Sequence, residues 1–261
     1  MSYWTRQTTA NPDLLWNIPE QKTGSVAIIG GSSTSFATEV KLTELLNRLN
    51  LKAVRLVLPV SLKNQLPPIP NVVFAPANNS GAFKKSSELI SATSSVDAAL
   101  IAGDLSKNSA TAIAIAEAIR ESSCPIILTR DSIDLVAPEM AQLLEQPNLI
   151  ITATFAQLQK IFRSVYYPKM LLLSMPLVQA VETLHKFTLS YPCTILTFHE
   201  EQIIIARDGK ITTIPIKTTS YSPISLFSGE LATKITALSA WNPNQLFTNV
   251  TTAIHWDEIT F

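Results

Sequence analysis

The chain has 261 residues, of which 46% are hydrophobic and 15% are charged, and its formal charges sum to zero. This balance provides no basic field to attract nucleic acid or anionic lipid, and the length suits one α/β domain with a large core. No stretch reaches the roughly 20 apolar residues that span a bilayer, and the start lacks a secretory pattern. We therefore expect a cytoplasmic protein without a membrane partner, and the neutral surface favours a homo-oligomer.

Glycine is scarce in this sequence. The chain has seven glycines, whereas an average usage of roughly 7% predicts about eighteen. Loops that wrap phosphate need residues without a Cβ, both for positive φ and for close approach of the backbone. Few positions can therefore hold a phosphate in that way.

The first regular pattern begins at residue 25. Residues 1–24 are polar and contain prolines, so they are interpreted as an N-terminal extension, and residues 25–261 as a single domain. An apolar run at 26–29 ends at Gly30-Gly31, and leucines at helical spacing follow over 42–49. The pattern predicts a strand, a turn and a helix.

The same alternation continues along the chain. Strands are predicted at 53–58, 72–74, 98–102, 125–128 and 149–152, with helices at about 86–92, 109–121 and within 137–144. Strands that are apolar throughout and separated by helices indicate a parallel sheet covered on both faces. Strands at 194–196, 202–207 and 210–216 have short connections, one of them Asp208-Gly209, and predict an antiparallel meander on one edge. Helices over 229–240 and 245–253 complete a doubly wound α/β fold.

Ligands of open parallel sheets bind beyond the carboxyl ends of the strands, where three segments are candidates. The turn at 30–35 is small and rich in hydroxyls, which suits a polar ligand, although a tight turn explains it equally. Asp104 can accept hydrogen bonds from a ligand hydroxyl or can cap a helix. At 227–230, helix N–H groups can face an anion and Glu230 can accept a proton, while an acid there also suits the helix dipole. The three histidines show no paired ligand spacing, so no metal site held by histidine is predicted.

Taken in order, these features resemble the ribokinase-like fold and, more closely, the NAD(P)H-hydrate dehydratase family, the carboxyl-terminal domain type of the YjeF proteins. The resemblance covers about residues 19–255. It implies a three-layer sandwich with a mainly parallel central sheet. It also implies a lyase that removes water from hydrated NAD(P)H, with ADP or ATP and Mg²⁺ as cofactors and NAD(P)H as the ligand type.

The opening motif of that family is well matched here. Its lysine, its glycine and its Gly-Gly-Ser turn stand at Lys22, Gly24 and Gly30-Gly31-Ser32. The family then has a Gly-Ala pair that touches the hydrated cofactor, and this chain has Ala37-Thr38. The resemblance therefore assigns Gly30, Gly31, Ser32 and Thr38 to ligand binding.

Three middle motifs are altered. Residues 102–106 replace Gly-Pro-Gly-Leu-Gly and retain only Leu105 in register, with Asp104 assigned to the ligand. Residues 129–133 replace Asp-Ala-Asp-Ala-Leu and retain its second aspartate. Thr154 stands in place of the substrate-contacting histidine, and residues 196–198 lack the lysine and glycine of a segment that approaches the adenine nucleotide.

The last motif carries the implied chemistry. The family has Gly-Thr-Gly-Asp where this chain has Phe227-Ser228-Gly229-Glu230. The resemblance makes Glu230 the catalytic acid/base and places Ser228 and Gly229 at the phosphate. Glutamate is longer than aspartate by one methylene, and a shift of about 1 Å can cost on the order of a hundredfold in rate.

Three functions remain open from the sequence. The first is a divergent dehydratase with weak or lost activity. The second is a catalytically inactive pseudoenzyme that serves as a binding or assembly module, which the combined loss of glycines, histidine and lysine favours. The third is a small-molecule kinase, since this fold also hosts sugar and vitamin kinases.

Overall fold

The centre of the molecule is a pair of strands buried on both faces. The structure, a computed structural model, describes residues 5–6, 19, 21–66 and 69–256. Strands β2 (Ser25–Gly30) and β5 (Ala98–Gly103) are hydrogen-bonded in parallel, and almost every residue in them is buried. Because helices cover both faces, these strands are apolar throughout rather than alternating. The predicted N-terminal extension lies mostly outside the described residues.

Within the described residues, ten strands form one sheet in the order β1-β10-β9-β8-β7-β6-β5-β2-β3-β4. The remaining strands are β1 (Thr5–Arg6), β3 (Ala53–Pro59), β4 (Val72–Ala75), β6 (Ile126–Thr129), β7 (Leu149–Thr152), β8 (Thr194–His199), β9 (Gln202–Arg207) and β10 (Lys210–Pro215). Neighbours from β4 to β8 pair in parallel, β9 pairs antiparallel with both β8 and β10, and β1 adds in parallel to β10. The predicted mainly parallel sheet with an antiparallel edge is confirmed.

Helices cover each face of the sheet and enclose a separate apolar cluster. One face carries α1 (Ala37–Asn47), α8 (Glu230–Trp241) and α9 (Leu246–Ile254). The other face carries α2 (Ser87–Ser94), α3 (Ser109–Arg120), α4 (Asp131–Leu135), α5 (Met140–Leu143), α6 (Phe155–Ser164) and α7 (Leu177–Ser190). The arrangement is a three-layer sandwich.

The two hairpins at the antiparallel edge use turns with positive φ. Glu200 and Glu201 have φ of 46° and 60°, and Asp208 and Gly209 have φ of 49° and 73°. Two successive positive φ values match the right-handed twist of hairpin strands. The predicted Asp208-Gly209 turn is confirmed.

Residues 153–193 contain two helices, α6 and α7, that no predicted element covers. Their loop exposes apolar side chains, among them Tyr166 (92% exposed) and Leu173 (66%), beside a cavity of about 490 Å³. Exposed apolar groups of this kind suit an interface, and self-association of the chain stays a prediction. Among the described helices, none is both long enough and apolar enough to cross a bilayer.

The core beneath α7 gives a direct test of this packing. The ring of Phe187 is fully buried and stacks on Phe162, with 4.2 Å between centroids. Phe187→Ala is expected to lower the free energy of unfolding by about 3–5 kcal/mol, because it removes apolar contacts and leaves a cavity. Leu189→Ala, on the exposed face of the same helix, should change it by less than about 0.5 kcal/mol. Urea denaturation measures both, and equal losses would contradict this packing.

Candidate functional site

The candidate site lies where the strand order reverses. The chain passes from β2 to β3 and β4 on one side and then returns to β5 on the other side of β2. The backbone N–H of Gly31 donates to the carbonyl of Gly103 at 3.0 Å, which joins the carboxyl ends of these two strands. Crevices for ligands form at such reversals in open α/β sheets.

Two pockets open at this edge of the sheet. The first, here called the hydroxyl pocket, has a volume of about 340 Å³ and is lined by residues 32–35, Ser80, residues 104–106 and Asp131. The second, here called the α8 pocket, has a volume of about 390 Å³ and is lined by Ala37, Thr38, Lys41, Leu42, Arg130, Ser228 and Glu230. The first is rich in hydroxyls and carboxylates, whereas the second carries two cationic side chains.

Most of the residues that the sequence singles out come together here. Ser32 and Asp104 line the hydroxyl pocket, while Thr38, Ser228 and Glu230 line the α8 pocket. Gly30 ends β2 and Gly31 follows it beside the first pocket, while Gly229 precedes α8 beside the second. Thr154 lies at the start of α6, outside both linings. Their binding and catalytic roles stay predictions.

Two glycines at the strand ends make room for acidic side chains of this chain. A Cβ on Gly30 would lie 2.6 Å from Glu39 Oε1, and one on Gly103 would overlap Asp131 Oδ1. No other residue fits at either position without moving its neighbour. Gly30 and Gly103 therefore seat carboxyl groups, which is a packing role distinct from close approach to a ligand.

The start of α8 is filled in a similar way. Gly229 has φ of +104°, and a Cβ there would lie 2.9 Å from Leu42 Cδ1 and 3.7 Å from Arg130 Cδ. Leu42 is buried on α1, which packs against α8. The glycine thus lets α1 and the stem of Arg130 approach the first turn of α8.

A cluster of four ionisable side chains lies between the two pockets. Arg130 Nη2 donates to Asp104 Oδ1 at 3.0 Å, and the backbone N–H of Asp104 donates to Asp131 Oδ1 at 2.9 Å. Glu39, on α1, completes the cluster and is 0% exposed. One guanidinium and three carboxyl groups therefore lie close together at the strand reversal, and one of the carboxylates is paired with the guanidinium.

Glu39 has an unusual protonation equilibrium. Burial, reinforced by the negative charge of Asp104, raises its pKa from 4.5 to about 8, although Arg130 acts in the opposite direction. Neither carboxyl oxygen has a hydrogen-bond partner among the described residues. A buried carboxylate without a partner is costly, so the neutral acid predominates at pH 7.

Arg130 is held in an unfavourable backbone conformation. Its φ is 58° and its ψ is −139°, a region that residues with a Cβ rarely adopt. Gln157 Nε2 donates to the Arg130 carbonyl at 2.7 Å and to Asp134 Oδ2 at 2.9 Å, which fixes the peptide from α6. The surroundings thus impose a strained residue at the site, as is common at binding sites.

Glu230 is already engaged by a cation. Lys41 Nζ lies 2.6 Å from Glu230 Oε1, and both side chains are partly exposed at the α8 pocket. A carboxylate in the first turn of a helix also gains from the helix dipole. The Glu230 carboxylate therefore already has a partner.

Thr154 acts as a helix cap. Its Oγ1 accepts from the Gln157 N–H at 3.2 Å, and Gln157 Oε1 accepts from the Thr154 N–H at 3.1 Å. This reciprocal pair is a capping box, which satisfies N–H groups that the helix itself cannot. Gln157 also donates to the Arg130 carbonyl, so it links the capping box to Arg130.

Sequence reasoning missed Glu39, Lys41 and Arg130 as site residues. For Glu39 a signal exists, because residues 39, 42, 43 and 46 are the buried positions of α1 and follow helical spacing. An acid on the buried face of a helix that follows a strand-end turn is a reasonable indicator of a site. Nothing in the local sequence indicates the pairing of Arg130 with Asp104, which joins two different strand ends.

The raised pKa of Glu39 predicts a pH dependence of stability. Between pH 4.5 and about 8 the unfolded chain loses this proton while the folded chain keeps it, so stability falls as pH rises. Relative to Glu39→Gln, the wild type should lose on the order of 3 kcal/mol in unfolding free energy between pH 4.5 and 7. Urea titrations at several pH values measure this difference, and parallel curves would contradict it.

The capping box predicts a separate, smaller loss. Thr154→Ala should lower the free energy of unfolding by about 1 kcal/mol, because the Gln157 N–H loses its acceptor. Thr154→Ser keeps the hydroxyl and should stay within a few tenths of the wild type. Chemical denaturation distinguishes the two variants, and equal losses would mean that the hydroxyl does not act as a cap.

Comparison with known proteins identifies the fold. The chain superposes on a ribokinase-like superfamily protein from Enterococcus faecalis with a TM-score of 0.67 at 13% identity, covering 99% of this chain and 89% of that one. It superposes on the ADP/ATP-dependent NAD(P)H-hydrate dehydratase from Bacillus subtilis, co-crystallised with ATP/Mg²⁺, with a TM-score of 0.56 at 14% identity over 90% and 80% of the chains. It superposes on an ADP complex of Bacillus subtilis pyridoxal kinase with a TM-score of 0.51 at 16% identity, covering 88% of this chain and 89% of that one.

No family model matches the sequence, and no curated protein matches it significantly. The structural likenesses hold at low identity over nearly the whole chain. They show the arrangement of the strands and helices and nothing finer. The chain has the ribokinase-like fold.

Proposed function

We propose that this chain binds ADP, ATP or a related phosphorylated small molecule in the α8 pocket, and that it has lost the dehydration of hydrated NAD(P)H. The observation that carries the proposal is the position of Lys41 and Arg130 beside the first turn of α8 in one pocket. Two cations at a helix start suit a phosphate group.

The helix start contributes to anion binding on its own. The first N–H groups of a helix have no partner within the helix, and the helix dipole adds positive potential there. Gly229 precedes α8 and has no side chain to cap those groups, and the exposed Ser228 contributes only a long contact, in which its Oγ accepts from the Glu230 N–H at 3.4 Å. A phosphate in the α8 pocket would meet these N–H groups together with the Lys41 ammonium.

The contacts of Glu230 support the loss of catalysis. A general base must be free to accept a proton from the reacting group at hydrogen-bond distance. Glu230 lies 2.6 Å from Lys41, and Leu42 packs directly behind Gly229. Movement of Glu230 towards a substrate would break its ion pair, and the backbone behind it has no room to shift.

Magnesium fits this site only in part. Mg²⁺ bound with a nucleotide usually takes one or two protein carboxylates, together with waters and phosphate oxygens. In the part of the chain that the structure describes, no group of three or more acidic, histidine or cysteine side chains is placed to hold a metal. Glu230 offers one carboxylate in the α8 pocket, and Lys41 already neutralises it. The nucleotide would therefore supply most of the ligands.

A binding or assembly role without a nucleotide is the alternative. Three packing contacts favour it. Side chains of this chain, and not open space for a ligand, lie beside the glycines: Glu39 beside Gly30, Asp131 beside Gly103 and Leu42 beside Gly229. The same packing leaves the α8 pocket open beside Lys41. Direct binding measurements separate the two functions.

Nucleotide binding should respond in opposite directions to changes in the Lys41–Glu230 pair. Lys41→Gln should weaken ADP binding because it removes a cation, whereas Glu230→Gln should strengthen it because it frees Lys41 and removes a negative charge. Each shift should be about threefold to tenfold, with Lys52→Gln, an exposed lysine elsewhere, as the unchanged control. Isothermal titration calorimetry measures the affinities. The absence of ADP and ATP binding to every variant would overturn the nucleotide assignment.

The loss of catalysis has its own measurement. Hydrated NADH with ADP or ATP and Mg²⁺ should show no recovery of nicotinamide absorbance above the uncatalysed rate. Saturating nucleotide should still stabilise the fold, by about 2.7 kcal/mol at 100 times the dissociation constant. Turnover that disappears in Glu230→Ala would instead show a working dehydratase with Glu230 as its acid/base group.

A further inference from the structure

Glu39 is a buried acid for which the proposed function provides no role. It is 0% exposed, and both of its carboxyl oxygens lack a hydrogen-bond partner among the described residues. Its carboxyl group lies directly over Gly30, where any side chain would overlap it. A buried carboxyl group without hydrogen-bond partners destabilises the fold, so its presence at this position needs an explanation.

Arg130 is the cation next to Glu39. Its Nη2 is bound to Asp104, and its Nη1 is buried without a hydrogen-bond partner in the described part of the chain. The same side chain lines the α8 pocket, with its stem near Gly229. Arg130 therefore connects the buried cluster to the place where a phosphate would lie.

We propose that Glu39 is a positioning residue for Arg130. In its neutral form Glu39 leaves Arg130 at the wall of the α8 pocket, where the positive charge of the guanidinium attracts a phosphate. In its ionised form it offers a second carboxylate to the unpartnered Nη1 and draws Arg130 away from the pocket. The inference rests on the proposed nucleotide binding and adds the residue that sets its pH dependence.

The net charge of the cluster also weakens phosphate binding when Glu39 is ionised. The charged groups that act on Glu39 are Asp104, which follows β5, and Arg130 and Asp131, which follow β6. With Glu39 neutral, the two aspartates and the arginine sum to −1, and with Glu39 ionised the cluster sums to −2. The second negative charge, on the buried Glu39 carboxylate, repels an incoming phosphate.

Burial and the nearby Asp104 raise the pKa of Glu39 to about 8, so the change of state falls in mildly alkaline solution. The second pKa of a phosphate group is about 6, so a nucleotide is fully ionised above pH 7.5. A change in affinity between pH 7.5 and 9.5 therefore reports on the protein rather than on the ligand.

The test measures ADP affinity by calorimetry from pH 7.5 to 9.5 at constant ionic strength. The wild type should bind ADP at least about fivefold more weakly at the top of this range, whereas Glu39→Gln should stay nearly level. The matched control is Glu44→Gln, which changes an exposed glutamate on the same helix and should follow the wild type. Adenosine, which has no phosphate, should show no comparable change with any of the three proteins.

The outcomes are distinct. If all three proteins bind ADP with the same pH profile, the role of Glu39 is overturned and nucleotide binding stands. If none binds ADP, both proposals fall. A second measurement needs no variant: the ¹³C shift of the Glu39 carboxyl is followed through its titration with and without ADP. Reciprocity requires bound ADP to move the midpoint to higher pH, and an unchanged midpoint would overturn the inference even if Glu39→Gln fails to fold.

Discussion

The burial of charge at the strand reversal is the constraint around which the candidate site is built. Glu39, Asp104, Arg130 and Asp131 meet where β2 and β5 end, and one ion pair partly compensates three carboxyl groups. Removing ions from water costs several kcal/mol each unless partners restore the lost interactions. The protein meets this cost by protonating Glu39 and by holding Asp104 with both Arg130 and its own backbone contact to Asp131.

Several other features of the site follow from that cluster. Gly30 and Gly103 are glycines because carboxyl groups occupy the space that a Cβ would need. Arg130 adopts its rare backbone angles because its side chain must turn towards Asp104 while Gln157 fixes its carbonyl. The capping box of α6 thus has a second role, since Gln157, in the first turn of the helix, also donates to the carbonyl of Arg130.

The fold could be predicted from the sequence to a large extent, because buried strands are apolar on both faces and the helices between them carry periodic apolar residues. The site could be predicted only in outline. Turns such as 30–35 and 227–230 indicate an edge, yet the depth of Glu39 and the pairing of Arg130 with Asp104 depend on elements far apart in the chain. The cap at Thr154 was readable from its spacing to Gln157, whereas the family resemblance suggested a substrate contact there.

The backbone of Arg130 has a consequence for how this protein can change. Glycine, or to a lesser degree asparagine, adopts such angles at a lower energy than arginine does. Either replacement would also leave the Asp104 carboxylate without its ion-pair partner, next to two further carboxyl groups. Position 130 is therefore a place where backbone strain favours one kind of residue and charge compensation favours another.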